Sequence, residues 1–250
     1  MPLHGNPLGP VTKILVDTNV FHATALMEQC IELTRVRLGD VENEIRLLVV
    51  RPKNFTRQET ADAPALAAIC DLARQGGIKL CISIELYHEI SNGSLDLRTV
   101  GGDLLAGVEL EWVDTPIERS RFFQMDATSY ASKQVRIDYC KWLLRFNGRA
   151  QEFPRHGVSG KALPAYEQES AALLDRFAEL CKNANGGDED KLLDVFHLWT
   201  AERAGIPYLL TYDARFVNFM TKTSRATLRT EPILPAALAN RLGIDFEGSG

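Results

Sequence analysis

No C-x-x-C pair occurs in this chain, and no apolar run approaches the roughly 20 residues that a bilayer span needs. Five cysteines, Cys30, Cys70, Cys81, Cys140 and Cys181, are scattered over the 250 residues with no histidine at zinc-ligand spacing. They are therefore read as reduced core thiols. Positive charge is also in deficit: 28 Lys and Arg stand against 33 Asp and Glu, a formal net charge of -5. That balance excludes global attraction to a polyanion, so nucleic acid would have to be held by a local basic patch or through bound cations. Residues 1–10, MPLHGNPLGP, lack the charged and then apolar order of a signal peptide and are expected to be a flexible terminus. Internal repeats and low-complexity segments are absent. The expectation is a cytoplasmic protein, and with 45% hydrophobic and 24% charged residues it can bury a sizeable core.

Short apolar runs carry the organisation. Lys13 to Val16 is a β-branched and apolar run of the kind buried on both faces of a parallel sheet. It stops at Asp17-Thr18-Asn19. Apolar residues at helical intervals predict a first helix from Val20 to about Arg37. A second apolar run spans Ile45 to Val50, a helix is expected over Ala63 to Arg74, and Gly76-Gly77 ends it. Ile78 to Ile84 reads as a strand and Glu85 to Ile90 as a short helix. This alternation predicts an α/β fold, a three-layer α/β/α arrangement around a central parallel sheet.

From Ser91 to Asn185 the pattern becomes mainly helical, with helices expected over Asp126 to Phe146 and Pro164 to Lys182 and one strand near Leu110 to Val113. Residues 91–185 thus read as a helical insertion within a single domain covering 11–250. A loop over Asn147 to Gly160 carries Arg149, Arg155 and His156, with Arg145 and Lys161 beside it. The α/β pattern resumes with a helix over Asp188 to Ala204 and a strand over Tyr208 to Thr211. A short helix through Phe216 to Met220, a polar strand near Ala226 to Arg229 and a helix over Pro235 to Leu242 complete the chain.

Ligands of open parallel sheets bind at the carboxyl ends of the strands. Asp17 and Asp213 follow predicted strands directly, Glu89 lies on the helix after the Ile78 strand, and Asp194 opens the helix before the Tyr208 strand. Four unpaired carboxylates in one cleft would repel one another unless cations neutralised them. Oxygen donors favour hard ions, Mg²⁺ or Mn²⁺, which pair with phosphates and activate water.

Three segments then acquire a specific likeness: I-L-V-D-T-N-V-F (Ile14 to Phe21), I-S-I-E-L-Y-H-E-I (Ile82 to Ile90) and D-V-F-H-L-W-T-A-E-R-A-G-I-P-Y-L-L-T-Y-D-A-R-F (Asp194 to Phe216). In content and order they resemble the PIN-domain ribonucleases. The resemblance implies a PIN-like fold enlarged by the helical insertion, with the family's acids falling on Asp17, Glu89, Asp194 and Asp213. Thr211 and Asn19 match polar positions that line the site. Glu85 competes with Glu89, four residues away, and the distance from Ser83 favours Glu89; Asp190, a turn before Asp194, is an additional candidate. The activity implied is metal-dependent endonucleolytic cleavage of RNA, mainly single-stranded. A toxin or defence role, an antitoxin-like protein inhibitor and a homodimer fall within what the family does.

Other readings compete. Asp17 and Asp213 could be cap or turn residues, and Glu89 and Asp194 a solvated helix face. His88 and His197 are isolated from paired ligands and receive no role, and Trp112, Trp142 and Trp199 are expected in the core. The basic loop is either a phosphate-contacting flank or a solvated loop. A haloacid-dehalogenase-type phosphatase would need a second Asp two residues after Asp17, where Asn19 stands. A flap-type DNA nuclease and a catalytically silent PIN scaffold binding RNA or protein are the remaining alternatives.

Overall fold

A computed structural model describes residues 11–24, 27–38, 41–52, 54–91, 103–123, 132–184, 189, 191–223 and 227–246. In chain order the first half comprises β1 (Thr12–Val16), α1 (Thr18–Thr24), β2 (Met27–Leu38), β3 (Val41–Pro52), α2 (Arg57–Arg74), β4 (Ile78–Ser83), α3 (Ile84–Ser91) and β5 (Leu110–Val113). The second half adds α4 (Lys133–Leu144), α5 (Ala165–Ala172), α6 (Leu174–Asn183), α7 (Lys191–Arg203), β6 (Tyr208–Leu210), α8 (Ala214–Asn218), β7 (Glu231–Ile233) and α9 (Pro235–Leu242). Among the described residues no helix is long and apolar enough to cross a membrane.

The expected α/β fold is present as a five-stranded, all-parallel sheet in the order β5-β4-β1-β6-β7. Its centre is β1, whose Ile14, Leu15 and Val16 are 0% exposed. A strand covered on both faces has no polar side to present, which is why its sequence shows no alternation. Each such aliphatic side chain contributes about 1.5–3 kcal/mol by burial. From β1 the chain proceeds outward through β4 to β5, then returns to β6 and continues to β7 on the other side. Right-handed crossovers in opposite directions place their helices on opposite faces. Accordingly α2 lies against β4 and α9, whereas α7 lies against β6, α4 and α6, giving three layers.

Several elements depart from the sequence expectation. The first helix ends at Thr24, and Met27–Leu38 is a strand paired antiparallel with β3 without interruption from Met27 opposite Pro52 to Leu38 opposite Val41. Its apolar residues fit helical spacing, but Gly39-Asp40, outside the described residues, is a two-residue hairpin signal. The Ile45 to Val50 run therefore belongs to a separate hairpin. The strand expected near Leu110 to Val113 is present, and it joins the central sheet through β4. The single helix expected over Pro164 to Lys182 is two, separated at Leu173.

The last strand is Glu231–Ile233; the expected Ala226 to Arg229 span lies partly outside the described residues and carries no strand at 227–229. Pro232 suits a sheet edge, where a missing N–H costs no ladder bond. The basic loop forms a helical turn at Ala150–Glu152 and a bridge between His156 and Ala162. Cys70, Cys81, Cys140 and Cys181 are free and buried, as expected. Trp199 is core and Trp142 is half-buried, but Trp112 is 55% exposed.

Candidate active site

The carboxyl ends of β1 and β6 lie side by side in register, since Val16 pairs with Leu210 and the Asp17 N–H donates to the Leu210 carbonyl at 2.9 Å. The residue after β1 is thus held against the Thr211-Tyr212-Asp213 turn after β6. The Thr211 hydroxyl donates to Asp17 Oδ2 at 2.7 Å, Asn19 Nδ2 donates to the same oxygen at 2.7 Å, and the Thr18 N–H donates to Oδ1 at 2.7 Å. Asn19 Oδ1 accepts from the Tyr212 N–H at 2.9 Å, which ties the two strand ends together. Thr211 accepts from the Asp213 N–H at 3.0 Å. With three donors upon it, the Asp17 carboxylate has a fixed orientation and one lone-pair direction left over.

Asp194, in the first turn of α7, is the second acid at this place. Burial and then the charge of Asp17 push its pKa up to about 7, with Asp213 adding to the rise. Lys191, one turn earlier, donates to Asp213 Oδ2 and lies 3.3 Å from Asp194 Oδ2. Burial pulls the Lys191 pKa down, but its hydrogen bond to Asp213 and the charges of Asp194 and Asp213 outweigh this and leave it raised. Burial likewise raises Asp213, but Lys191 and the Phe216 N–H, which donates to Oδ1 at 2.8 Å, hold it below the ordinary carboxylate range. Asp213 is therefore also the cap of α8, the bland reading offered by its sequence position.

Glu89 faces the same region from α3 but is separately held. It accepts from the Thr18 hydroxyl at 2.5 Å, forms an ion pair with Arg136 of α4, and lies 3.2 Å from His197 Nε2 on α7. His197 is buried, which lowers its pKa; Asp17 and Asp194 act in the opposite sense. Glu85, the competing candidate, is 3% exposed and paired with Arg119 at 3.1 Å through both carboxylate oxygens. A carboxylate enclosed with its own guanidinium has no face toward the cleft. Asp190 lies outside the described residues.

Asp17, Asp194 and Asp213 are thus joined electrostatically, with Asn19 and Thr211 as the supports of Asp17, and Glu89 stands one contact away through Thr18 and His197. Sequence reasoning gave His197 no role and did not single out Lys191, Arg136 or Thr18. For Lys191 and His197 a signal existed: their spacing of three residues on either side of Asp194 puts all of them on one helical face.

Among the described residues no group of three or more His, Cys, Asp or Glu is arranged to hold a metal. The Asp17–Asp194 pair, however, offers hard oxygen donors whose mutual repulsion a cation would relieve. Mg²⁺ is commonly held by one or two carboxylates together with waters and substrate phosphates rather than by a protein cage. The pair suits that mode, while Lys191 and Arg136 partly neutralise the other two acids. Compared with known proteins, the chain matches no family model, no curated protein and no solved structure.

Proposed function

We propose that this protein is a metal-dependent nuclease that hydrolyses phosphodiester bonds of RNA, mainly single-stranded, at the carboxyl edge of its sheet. The observation that carries the reading is the Asp17–Asp194 pair. Burial, and then the charge of Asp17, lift Asp194 to about 7 in spite of Lys191 beside it, the kind of perturbation that clusters at functional sites. A Mg²⁺ or Mn²⁺ ion held by Asp17 and Asp194 would supply an activated water and stabilise the charge that builds on the phosphate.

The remaining work falls to the chain. Asn19 and Thr211 fix the Asp17 oxygens so that no reorganisation is needed when the substrate arrives. Lys191 presents an ammonium at the acidic cluster, where it lowers the repulsion felt by an incoming phosphate. Arg136 and His197 set the position of Glu89. An open edge lined in this way suits an exposed single-stranded backbone better than a duplex.

The test is cleavage of a mixed RNA and DNA pool by the purified chain with Mn²⁺, Mg²⁺ or chelator, beside Asp17→Asn. RNA cleavage that depends on the metal and falls by about a hundredfold or more in the variant supports the proposal. Cleavage that persists in chelator, or is undiminished in the variant, overturns it. The engagement of Glu89 by Arg136 and of Asp213 by Lys191 favours a second reading, a silent scaffold that binds RNA or protein. Binding of RNA without cleavage under any metal decides for it.

A further inference from the structure

The β2–β3 hairpin stands outside the central sheet. Its strands form a sheet of their own, and among the described residues each has only the other as a partner. At 12 residues, each strand is about twice the common length. A two-stranded sheet is marginal in water unless a further strand or a helix covers it. Its outer edges are templates for pairing with another chain.

The β3 edge lacks the usual devices against such pairing. Between Val41 and Val49 it carries no proline, glycine or lysine, and its register against β2 runs without a bulge. Alternation sets Val41, Ile45, Leu47 and Val49 on one face, where Leu38 of β2 is the register partner of Val41. The other face holds Glu42, Glu44 and Arg46, with Arg37 opposite Glu42 and Arg35 opposite Glu44 across the hairpin.

Register restricts how two copies can meet. Joined edge to edge about a two-fold axis, identical strands run antiparallel and keep corresponding faces on the same side. A position can then stand opposite only one of the same parity. In β2 the acids Glu28 and Glu32 are even and Arg35 and Arg37 odd, so no register sets an acid opposite an arginine. In β3, Glu42, Glu44 and Arg46 are all even. Centring the axis on Ile45 sets Glu44 opposite Arg46, and Val41 opposite Val49, once on each side of the axis. A centre at Glu44 or at Arg46 sets that charge against its own copy, and a centre at Asn43 sets Glu42 against Glu44. Centres beyond Arg46 bring no acid opposite an arginine. One register of one edge therefore pairs opposite charges without opposing like ones.

We propose that the chain forms a homodimer through this edge, β3 pairing antiparallel with β3 of a second copy about Ile45. The product is a four-stranded sheet in the order β2-β3-β3-β2, with the apolar positions of both copies on one face. Opposite charges facing one another across strands stabilise a sheet, and like charges there destabilise it. The same charges thus favour this register and penalise its neighbours. The β2 edges, which have no charge-paired register, are left outermost, so assembly closes at two copies. The dimer does not depend on the nuclease reading.

The experiment is sedimentation velocity on the full chain, as wild type and as two charge variants, Glu44→Arg and Arg46→Glu. The wild type is expected to be dimeric at micromolar concentration. Each variant alone opposes like charges on both sides of the axis and should raise the dissociation constant about tenfold or more. In an equimolar mixture of the two variants, the arginines of one chain meet the glutamates of the other. The dimer should then return as a heterodimer, identified by native mass spectrometry. A hairpin merely damaged by either substitution gives no such recovery. A monomeric wild type, a larger assembly, or a dimer insensitive to both variants overturns the proposal. Variants that stay monomeric when mixed overturn it as well.

Discussion

Glu85 and Glu89 are the same residue type one helical turn apart, and tertiary partners alone separate them. Spacing could only rank them, because Arg119 and Arg136 arrive from distant parts of the chain. Glu85→Gln strips the charge facing a fully buried guanidinium and should cost about 3–5 kcal/mol in urea unfolding. Two further residues fix pH dependence with opposite signs. Asp194 has a folded pKa of about 7, raised from the usual 3.8, so the folded state holds a proton that the unfolded chain releases. Stability contributed by this group is present below about pH 4 and is lost as pH rises towards 7. Asp194→Asn should therefore gain on the wild type across that window, by at most about 4 kcal/mol. A quarter of the side chain remains exposed, so solvent screening reduces the gain. His88 is lowered to about 4, first by burial and then by Arg119 and Arg136, so its contribution is present above pH 6.5 and is lost as pH falls towards 4. In His88→Gln the gap from wild type should narrow on acidification, read from urea midpoints at each pH.

Elements were legible where a single period and its boundary signals agreed. The strands β1 and β4 and the helix α9 could be read because their runs are short, apolar and bounded, α9 by Pro235 at its start and Gly243 in the left-handed conformation at its end. In α2 the start expected at Ala63 was six residues late; the true start follows the capping box of Thr56 and Glu59. Thr56→Ala should lower stability by about 1 kcal/mol in chemical denaturation. Pro64, exposed within the body of α2, removes one helical hydrogen bond, so Pro64→Ala should raise stability by about 1–3 kcal/mol on thermal melting. The β2–β3 pair was misread because its apolar residues satisfy two periods at once, and only pairing with a partner strand decides between them.

At the scale of the molecule, the reversal of strand order at β1 is what gathers Asp17, Asp194 and Asp213, and the order of the segments allowed that gathering to be anticipated. The counter-charges were not readable, because ion pairing depends on which helices the crossovers bring into contact. If a divalent ion binds the folded state alone, saturating Mn²⁺ at about a hundred times its dissociation constant should add about 2.7 kcal/mol and raise the melting temperature by roughly 5–10 °C. Asp17→Asn should abolish that shift. The hairpin carries a different consequence. Met27 lies opposite Pro52, so the chain leaves the core and re-enters it at neighbouring points. Everything between them is an excursion with no net displacement, and the sheet registers it as a short link between α1 and α2. That makes the segment removable: replacing residues 27–52 by a few glycines and serines should leave a cooperative unfolding transition, at a loop-closure cost that varies only slowly with length. Evolution could exchange such a module without redrawing the sheet beneath it.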